Sequence, residues 1–195
     1  MRSELNKLDV AVYAAVAATP TPEMDPAFRR LSLAANYSRL WLGCSALLAA
    51  FGGERGRRAT QNGLAAIALS SGVVNAVLKP LGNRHRPERD THDVPVSRQV
   101  DMPSSTSWPS GHSASGFAFT TGVGAAWPAM GFPLTVAAAL VAYSRVHTGV
   151  HYPSDTIAGT VSGVALAPVA VTALERRRRR RTRPLPVWRE GSSRR

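Results

Sequence analysis

Apolar residues in this chain are gathered into five runs that are separated by short polar or basic breaks. The runs are rich in Ala, Gly, Ser and Thr, the small residues that allow membrane helices to approach closely. A bilayer core about 30 Å thick is crossed by roughly 20 apolar residues in a helix. The pattern therefore predicts an all-α, membrane-embedded bundle of about five transmembrane helices, over residues 31–52, 59–78, 110–127, 131–146 and 154–174.

The N-terminal residues follow a different pattern. Over residues 5–19, four aliphatic side chains fall near one face of a helix, namely Leu5, Leu8, Val12 and Val16. The stretch is too short to cross a bilayer, so we expect an amphipathic helix at the membrane interface. Acidic residues interrupt the first ten positions, and no signal peptide is expected. The chain divides into an interfacial segment (1–30), a membrane domain (31–174) and a basic cytoplasmic tail (175–195).

The placement of charge favours a membrane protein over the alternative, a soluble helical bundle with Ala-rich cores. The formal net charge is +12, and residues 176–181 are all arginine, directly after the last apolar run. Such a run marks the cytoplasmic side. Alternate crossings then place residues 79–109 and 147–153 on the extracytoplasmic face. We expect a bacterial plasma-membrane protein whose arginine run binds anionic lipid headgroups, with no nucleic-acid partner.

Three polar clusters stand at the ends of the apolar runs. The first contains Lys79 and Arg86-Pro87, the second is Pro-Ser-Gly-His at residues 109–112, and the third contains Ser144-Arg145, His151 and Asp155. Cations and free backbone amides suit a phosphate group. A histidine that a carboxylate orients suits attack on phosphorus. Together these residue types predict a phosphotransferase site.

The local sequence indicates where the reactive groups stand. Because Pro153 cannot lie inside a helix, the last helix should begin beside it, with His151 in the preceding loop and Asp155 in the first turn. The carboxylate can then accept a hydrogen bond from one ring nitrogen and leave the other free. At the second cluster, Ser110 suits a helix cap and Gly111 allows close approach of the backbone to an anion.

These clusters closely resemble the signature of the type 2 phosphatidic acid phosphatase (PAP2) family, membrane phosphatases that share a fold with vanadium haloperoxidases. Every fixed position of the signature is filled in order, and the resemblance extends over roughly residues 60 to 172. It implies that His151 is a nucleophile forming a phosphohistidine, that Asp155 orients it, and that His112 is the general acid. The phosphate would be bound by Lys79, Arg86, Ser110, Gly111 and Arg145.

Other polar residues near the clusters receive lesser roles. We interpret Arg84 and Arg89 as headgroup or substrate-entry contacts at most, and His147 as structural. The aspartates of residues 90–101 are scattered and form no cluster suited to Mg²⁺, so we expect a metal-independent reaction without a cofactor. Cys44, the one cysteine, lies inside an apolar run and is assigned no chemistry.

The resulting hypothesis is an integral-membrane lipid phosphatase acting on a phosphomonoester or a diphosphate. One alternative is a vanadium-dependent haloperoxidase, which five apolar runs in so short a chain disfavour. Another is a noncatalytic membrane protein that retains the fold, against which the intact His112, His151 and Asp155 argue. The motifs recognise phosphate and not the tail, so phosphatidate-like and polyprenyl phosphate or diphosphate substrates stay open.

Overall fold

Seven helices form the regular structure of residues 2–181, the part of the chain that the computed structural model describes, and no strand occurs there. The predicted all-α fold is confirmed. Residues 182–195, which hold the end of the predicted basic tail, lie outside this part. The helices are α1 Arg2–Ala18, α2 Asp25–Ala34, α3 Arg39–Phe51, α4 Gly53–Gly82, α5 Gly111–Ala126, α6 Pro128–His147 and α7 Pro153–Arg181.

The five predicted spans are helical, although their bounds differ from the prediction. Helices α4, α6 and α7 are long and apolar enough to cross a membrane. Helices α3 and α5 have 13 and 16 residues and are shorter than an ordinary span. The segment predicted at 31–52 is divided by a turn in which Tyr37 and Ser38 have φ of 54° and 58°. Neither glycine nor proline marks this turn, so the sequence pattern gave no sign of it.

The direction of the helices brings the polar clusters to one end of the bundle. Trp127 alone separates α5 from α6, and five residues separate α6 from α7, so consecutive helices run in opposite directions. The end of α4, the start of α5, the end of α6 and the start of α7 therefore lie together. The arginine-rich ends of α4 and α7 meet at the opposite end, where Arg58 Nη2 donates to Glu175 Oε1 at 2.6 Å.

Close packing around the central helix α5 depends on small residues. Helix α5 packs against α4, α6 and α7. A Cβ atom added at Gly163 would lie 2.3 Å from the backbone oxygen of Ala114, and one added at Gly122 would lie 2.8 Å from the backbone oxygen of Asn62. These approaches are too short for any side chain, which explains the glycines. Larger side chains fill the space beside α3, where Trp41 is buried against α5.

Helix α1 lies over the end of the bundle at which the clusters meet. Its Tyr13 and Ala17 are buried against Val94 and Val146. Of the aliphatic side chains that the sequence placed on one face, Leu5, Leu8 and Val12 point the other way and are exposed, whereas Val16 is half-buried against the same cluster. The helix therefore has an inner face that contacts the protein and an apolar outer face.

A buried ion pair joins the segment after α1 to the rest of the protein. Arg98 Nε donates to Asp25 Oδ1 at 2.9 Å, and Arg98 Nη2 donates to the carbonyl oxygen of Thr19 at 2.6 Å. His147 Nε2 lies 3.0 Å from the same Asp25 oxygen. All three charged or titratable side chains are buried, and their contacts are structural.

The glycine packing predicts a difference between two chemically identical substitutions. Gly163→Ala should lower the melting temperature in detergent, because the new methyl group would overlap the Ala114 carbonyl. Gly72→Ala is the control, since a Cβ there meets nothing within 4 Å. Replacing glycine by alanine inside a helix otherwise stabilises by about 0.5–1 kcal/mol, so the control should unfold at the same or a higher temperature. Equal melting temperatures for the two variants would contradict the described packing.

Candidate active site

A cavity of about 530 Å³ opens where the four helix ends meet. Of the eight predicted site residues, Ser110 and Asp155 are buried behind its wall. The other six line it: Lys79, Arg86, Gly111, His112, Arg145 and His151. The three sequence clusters are therefore brought to one place.

His151 stands in the loop between α6 and α7, and its two ring nitrogens face different surroundings. Nδ1 lies 3.5 Å from Asp155 Oδ2, which is longer than an ordinary hydrogen bond. On the other side, Nε2 lies 3.3 Å from Arg86 Nη1 at the cavity. Hydrogen bonds that serve catalysis are often long before a substrate is bound. The ring is thus placed with Nδ1 towards the carboxylate and Nε2 towards the cavity.

Asp155 is held by donors from several segments. Its Oδ2 accepts a hydrogen bond from the Tyr152 backbone N–H at 2.9 Å and one from Ser107 Oγ. Its Oδ1 accepts a hydrogen bond from Arg84 Nη1 at 2.9 Å. A buried carboxylate needs such donors to remain ionised. Asp155 therefore presents a fixed acceptor to His151.

The cation Arg86 is held by protein carbonyl groups beside His151. Its Nε donates to the Ser105 carbonyl and its Nη1 to the Val150 carbonyl, each at 2.8 Å. Lys79 Nζ donates to Ser105 Oγ at 2.9 Å. A π-helical turn at Val74–Leu78 precedes Lys79, a type of turn that is frequent at functional sites. Burial lowers the pKa of Arg86, yet a guanidinium stays charged at neutral pH.

Arg145 approaches the cavity from the last turn of α6 and is almost fully buried. Its Nη1 donates to Ser32 Oγ at 2.5 Å and to the Ser32 carbonyl at 3.4 Å. Its Nε has no hydrogen-bond partner among the described residues. A buried guanidinium with unused donors is suited to an anion that enters the cavity.

The N-terminus of α5 supplies backbone donors. Ser110 caps the helix, with its Oγ accepting from the Ser113 N–H at 3.5 Å. The N–H groups of Gly111 and His112 come before the intrahelical hydrogen bonds begin. Lys79 Nζ lies beside this helix start, 3.9 Å from the position that a Cβ atom on Gly111 would occupy. These amides and the helix dipole favour a negative charge in the cavity.

His112 has a partner that the sequence did not indicate. Its Nε2 lies 2.9 Å from Asn36 Oδ1, in the turn between α2 and α3. With the side-chain oxygen of Asn36 accepting, Nε2 carries the proton and Nδ1 is the free nitrogen. The ring is thereby fixed in one orientation at the edge of the cavity.

Two arginines beside the first motif have roles other than those expected. Arg84 and Arg89 were expected at most to contact headgroups or substrate, but neither lines the cavity. Arg84 binds Asp155, and Arg89 Nη2 donates to the Val100 carbonyl at 2.7 Å. The carboxylate bound by Arg84 lies 71 residues away in the chain, so no local pattern indicates this contact. No local pattern indicates the contact of Ser107 with Asp155 either.

Comparison with known proteins identifies the class. The family model of the PAP2 superfamily matches residues 62–179, so this chain belongs to that superfamily. At the sequence level it is similar to decaprenylphosphoryl-5-phosphoribose phosphatase from two Mycobacterium tuberculosis strains, with 33% identity over 178 residues, 90% of this chain and 96% of the relative. These findings confirm a phosphatase, in preference to a haloperoxidase or a noncatalytic protein.

Two solved structures share the fold. The crystal structure of Aquifex aeolicus LpxE has a TM-score of 0.69 at 23% identity, covering 85% of this chain and 95% of that one. The crystal structure of a transmembrane PAP2-type phosphatidylglycerolphosphate phosphatase from Bacillus subtilis has a TM-score of 0.67 at 22% identity, covering 89% and 87%. With three helices able to cross a membrane, the chain is an integral membrane protein.

The surroundings of His151 predict an unusual titration. Burial lowers its pKa to about 4; the Asp155 hydrogen bond opposes this shift and the Arg86 cation adds to it. The imidazole should therefore stay neutral as the pH falls through 6.5 and should protonate only near pH 4. NMR of ¹⁵N-histidine-labelled protein, with the signal assigned through His151→Gln, measures this directly.

Arg86→Gln provides the matched comparison. Removing the neighbouring cation should raise the pKa of His151, although burial would keep that pKa below the ordinary value of a histidine side chain. A His151 pKa near 6.5 in the wild-type protein would contradict these electrostatic effects. So would the same His151 pKa in the wild type and in Arg86→Gln.

Proposed function

We propose that this protein removes a phosphate group from a membrane lipid through a phosphohistidine at His151. One observation carries the proposal: a buried imidazole directs Nδ1 at Asp155 and Nε2 at a cavity lined by Lys79, Arg86 and Arg145. The sequence relative, which is named as a phosphatase of a decaprenyl-linked phosphoribose, supports a lipid phosphate as substrate.

In the first step, Nε2 of His151 attacks phosphorus as the bond from phosphorus to the leaving oxygen breaks. The Nδ1 proton is held towards Asp155, which stabilises the positive charge that develops on the ring. Lys79, Arg86 and Arg145 neutralise the nonbridging oxygens, together with the α5 amides. His112, protonated at Nδ1 as well as at the Nε2 that contacts Asn36, donates its Nδ1 proton to the leaving oxygen, so that the product departs as an alcohol or, from a diphosphate, as a protonated phosphate.

In the second step, water attacks the phosphohistidine. His112, now lacking the proton that it donated, accepts a proton from that water, while the nitrogen–phosphorus bond breaks. Inorganic phosphate leaves, and both histidines return to their starting protonation states. Asn36 serves this cycle by holding the His112 ring in one orientation through the 2.9 Å contact.

The cavity favours a substrate whose phosphate is attached to a polar group. Its volume of about 530 Å³ is much larger than a phosphate, and its walls beyond the cations combine apolar groups, such as those of Val100 and Met102, with amides and hydroxyls from Asn36, Ser71, Asn75 and Ser115. Such donors and acceptors suit a hydroxylated sugar better than a hydrocarbon chain. A polyprenyl-linked sugar phosphate fits both this lining and the substrate in the relative's name.

The arrangement of charge supports an active site on the extracytoplasmic face. The cavity lies at one end of the helices that could cross a membrane, whereas Arg55, Arg57 and Arg58 lie at the other end with the arginine run of α7. Positive charge beside spanning helices marks the cytoplasmic side and suits anionic headgroups. The C-terminal end of α7 is accordingly assigned to the cytoplasm.

The covalent step is tested by trapping. A ³²P-labelled polyprenyl sugar phosphate, mixed with purified protein in detergent and quenched with base, should leave acid-labile, base-stable label on the wild-type protein. His151→Ala should abolish both the label and phosphate release. Phosphate release without any protein-bound label on the millisecond scale would count against the covalent route.

The general acid is tested with leaving groups of different acidity. His112→Ala should slow release of an alkyl alcohol far more than release of a nitrophenol, because a good leaving group needs less protonation. Equal losses with the two substrates would contradict this role for His112.

The membrane orientation is tested by labelling introduced cysteines in a Cys44→Ser background. Val96, which is 83% exposed, lies in the loop at the cavity end, and Arg55 is exposed at the opposite end. A membrane-impermeant maleimide added to intact cells should label Val96→Cys and should label Arg55→Cys only after permeabilisation. The reverse pattern would place the active site in the cytoplasm.

A further inference from the structure

Arg84 joins two buried carboxylates that come from opposite ends of the sequence. Its Nη1 donates to Asp155 Oδ1 and its Nη2 to Asp9 Oδ2, each at 2.9 Å. The arginine is absent from the cavity wall, and its side chain is only 21% exposed. Both ends of its guanidinium are therefore engaged by carboxylates, and Arg84 cannot bind the phosphate itself.

The contact with Arg84 determines how the Asp155 carboxylate is turned. Oδ1 is occupied by Arg84, so Oδ2 is the oxygen left to face His151, together with the Tyr152 N–H and Ser107. The backbone of Arg84 adds to this arrangement, because its carbonyl accepts the Ser107 N–H at 2.9 Å. The side chain of Arg84 thus fixes Oδ1 of Asp155, and its backbone carbonyl positions Ser107, which donates to Oδ2.

Asp9 performs a second task at the start of α7. Its Oδ1 accepts the backbone N–H of Ser154 at 2.8 Å, and its Oδ2 accepts the Ser154 hydroxyl at 2.5 Å. The first N–H groups of a helix have no partner within the helix, so Asp9 supplies a cap from α1. The residue that it caps directly precedes Asp155.

Helix α1 also contacts the loop that carries the nucleophile. One turn beyond Asp9, the buried Tyr13 donates through Oη to the Gly149 carbonyl at 3.3 Å, and its ring lies 5.5 Å from that of Tyr152. The contacts of α1 therefore lie on both sides of His151 in the sequence.

We propose that Arg84 and Asp9 are positioning residues of the phosphatase reaction, through which α1 holds the carboxylate of Asp155 in the orientation that His151 requires. The inference rests on the proposed function, because it needs His151 and Asp155 to act as a catalytic pair. Neither residue lines the cavity, so both should act on the chemical step and not on phosphate binding.

The test is a double-mutant cycle on the full-length protein in detergent, with single-turnover phosphate release as the readout. Arg84→Gln should reduce the rate about 10- to 100-fold, because small displacements of catalytic groups have effects of this size. In an Asp155→Asn background the same substitution should have little further effect, since Arg84 acts through that carboxylate. Competitive inhibition by inorganic phosphate should stay close to wild type in Arg84→Gln.

Two further variants separate positioning from folding. Asp9→Asn should also reduce the rate, although it retains Arg84 beside Asp155. This variant tests the inference if Arg84→Gln fails to fold. Arg89→Gln is the matched control: this arginine lies in the same loop, and its hydrogen bonds within the described part of the chain go to backbone carbonyls, at Val100 and Gly149. Arg89→Gln should change the single-turnover rate by the same factor in the wild-type protein and in the Asp155→Asn background.

The outcomes distinguish the inference from the function on which it rests. A wild-type rate in Asp155→Asn would overturn the proposed catalytic pair and the inference with it. Loss of activity in Asp155→Asn, combined with a wild-type rate in both Arg84→Gln and Asp9→Asn, would overturn the inference alone. The inference alone would also be overturned if Arg84→Gln reduced the rate of Asp155→Asn by the same factor as it reduces the wild-type rate. Weakened inhibition by inorganic phosphate in Arg84→Gln would overturn it as well.

Discussion

The geometry of this site depends on keeping one fully buried carboxylate, that of Asp155, ionised and fixed. A buried charge is costly unless hydrogen-bond donors surround it. The donors come from three separate segments: Arg84 after α4, Ser107 before α5, and the Tyr152 N–H before α7. Satisfying this carboxylate therefore draws together both ends of the loop between α4 and α5 and the start of α7, and the direction of His151 follows from it.

The cations around the cavity obey a second constraint. Lys79, Arg86 and Arg145 are held by carbonyl and hydroxyl oxygens, and none of them makes a salt bridge within residues 4–181. The charge of Asp155, on the far side of the His151 ring, acts favourably on Arg86 but is not paired with it directly, so an anion that enters the cavity relieves the mutual repulsion of the three cations. Donors fixed in this way need little rearrangement when charge moves onto the phosphoryl oxygens, which is the usual source of electrostatic catalysis.

Sequence reasoning located the residues whose chemistry is local to a motif. The spacing around Pro153 placed His151 in a loop and Asp155 in a first turn, as the structure has them. It could not find Asp9 or Asn36, because each acts across a long sequence separation, 145 residues between Asp9 and Ser154 and 76 between Asn36 and His112. Such partners depend on how helices pack, which hydrophobic periodicity does not specify.

The packing of small residues also sets the distances in the site. Gly159 lies one turn after Asp155, and a Cβ there would be 2.3 Å from the Ser110 carbonyl oxygen. The Ser110 N–H in turn donates to the Asp155 carbonyl at 2.9 Å. The cap of α5 and the first turn of α7 thus meet backbone to backbone, with no flexible side chain between them. Because phosphoryl transfer requires the nucleophile and the oxyanion donors to be placed accurately, the glycine that lets two membrane helices approach also fixes the histidine relative to the amides.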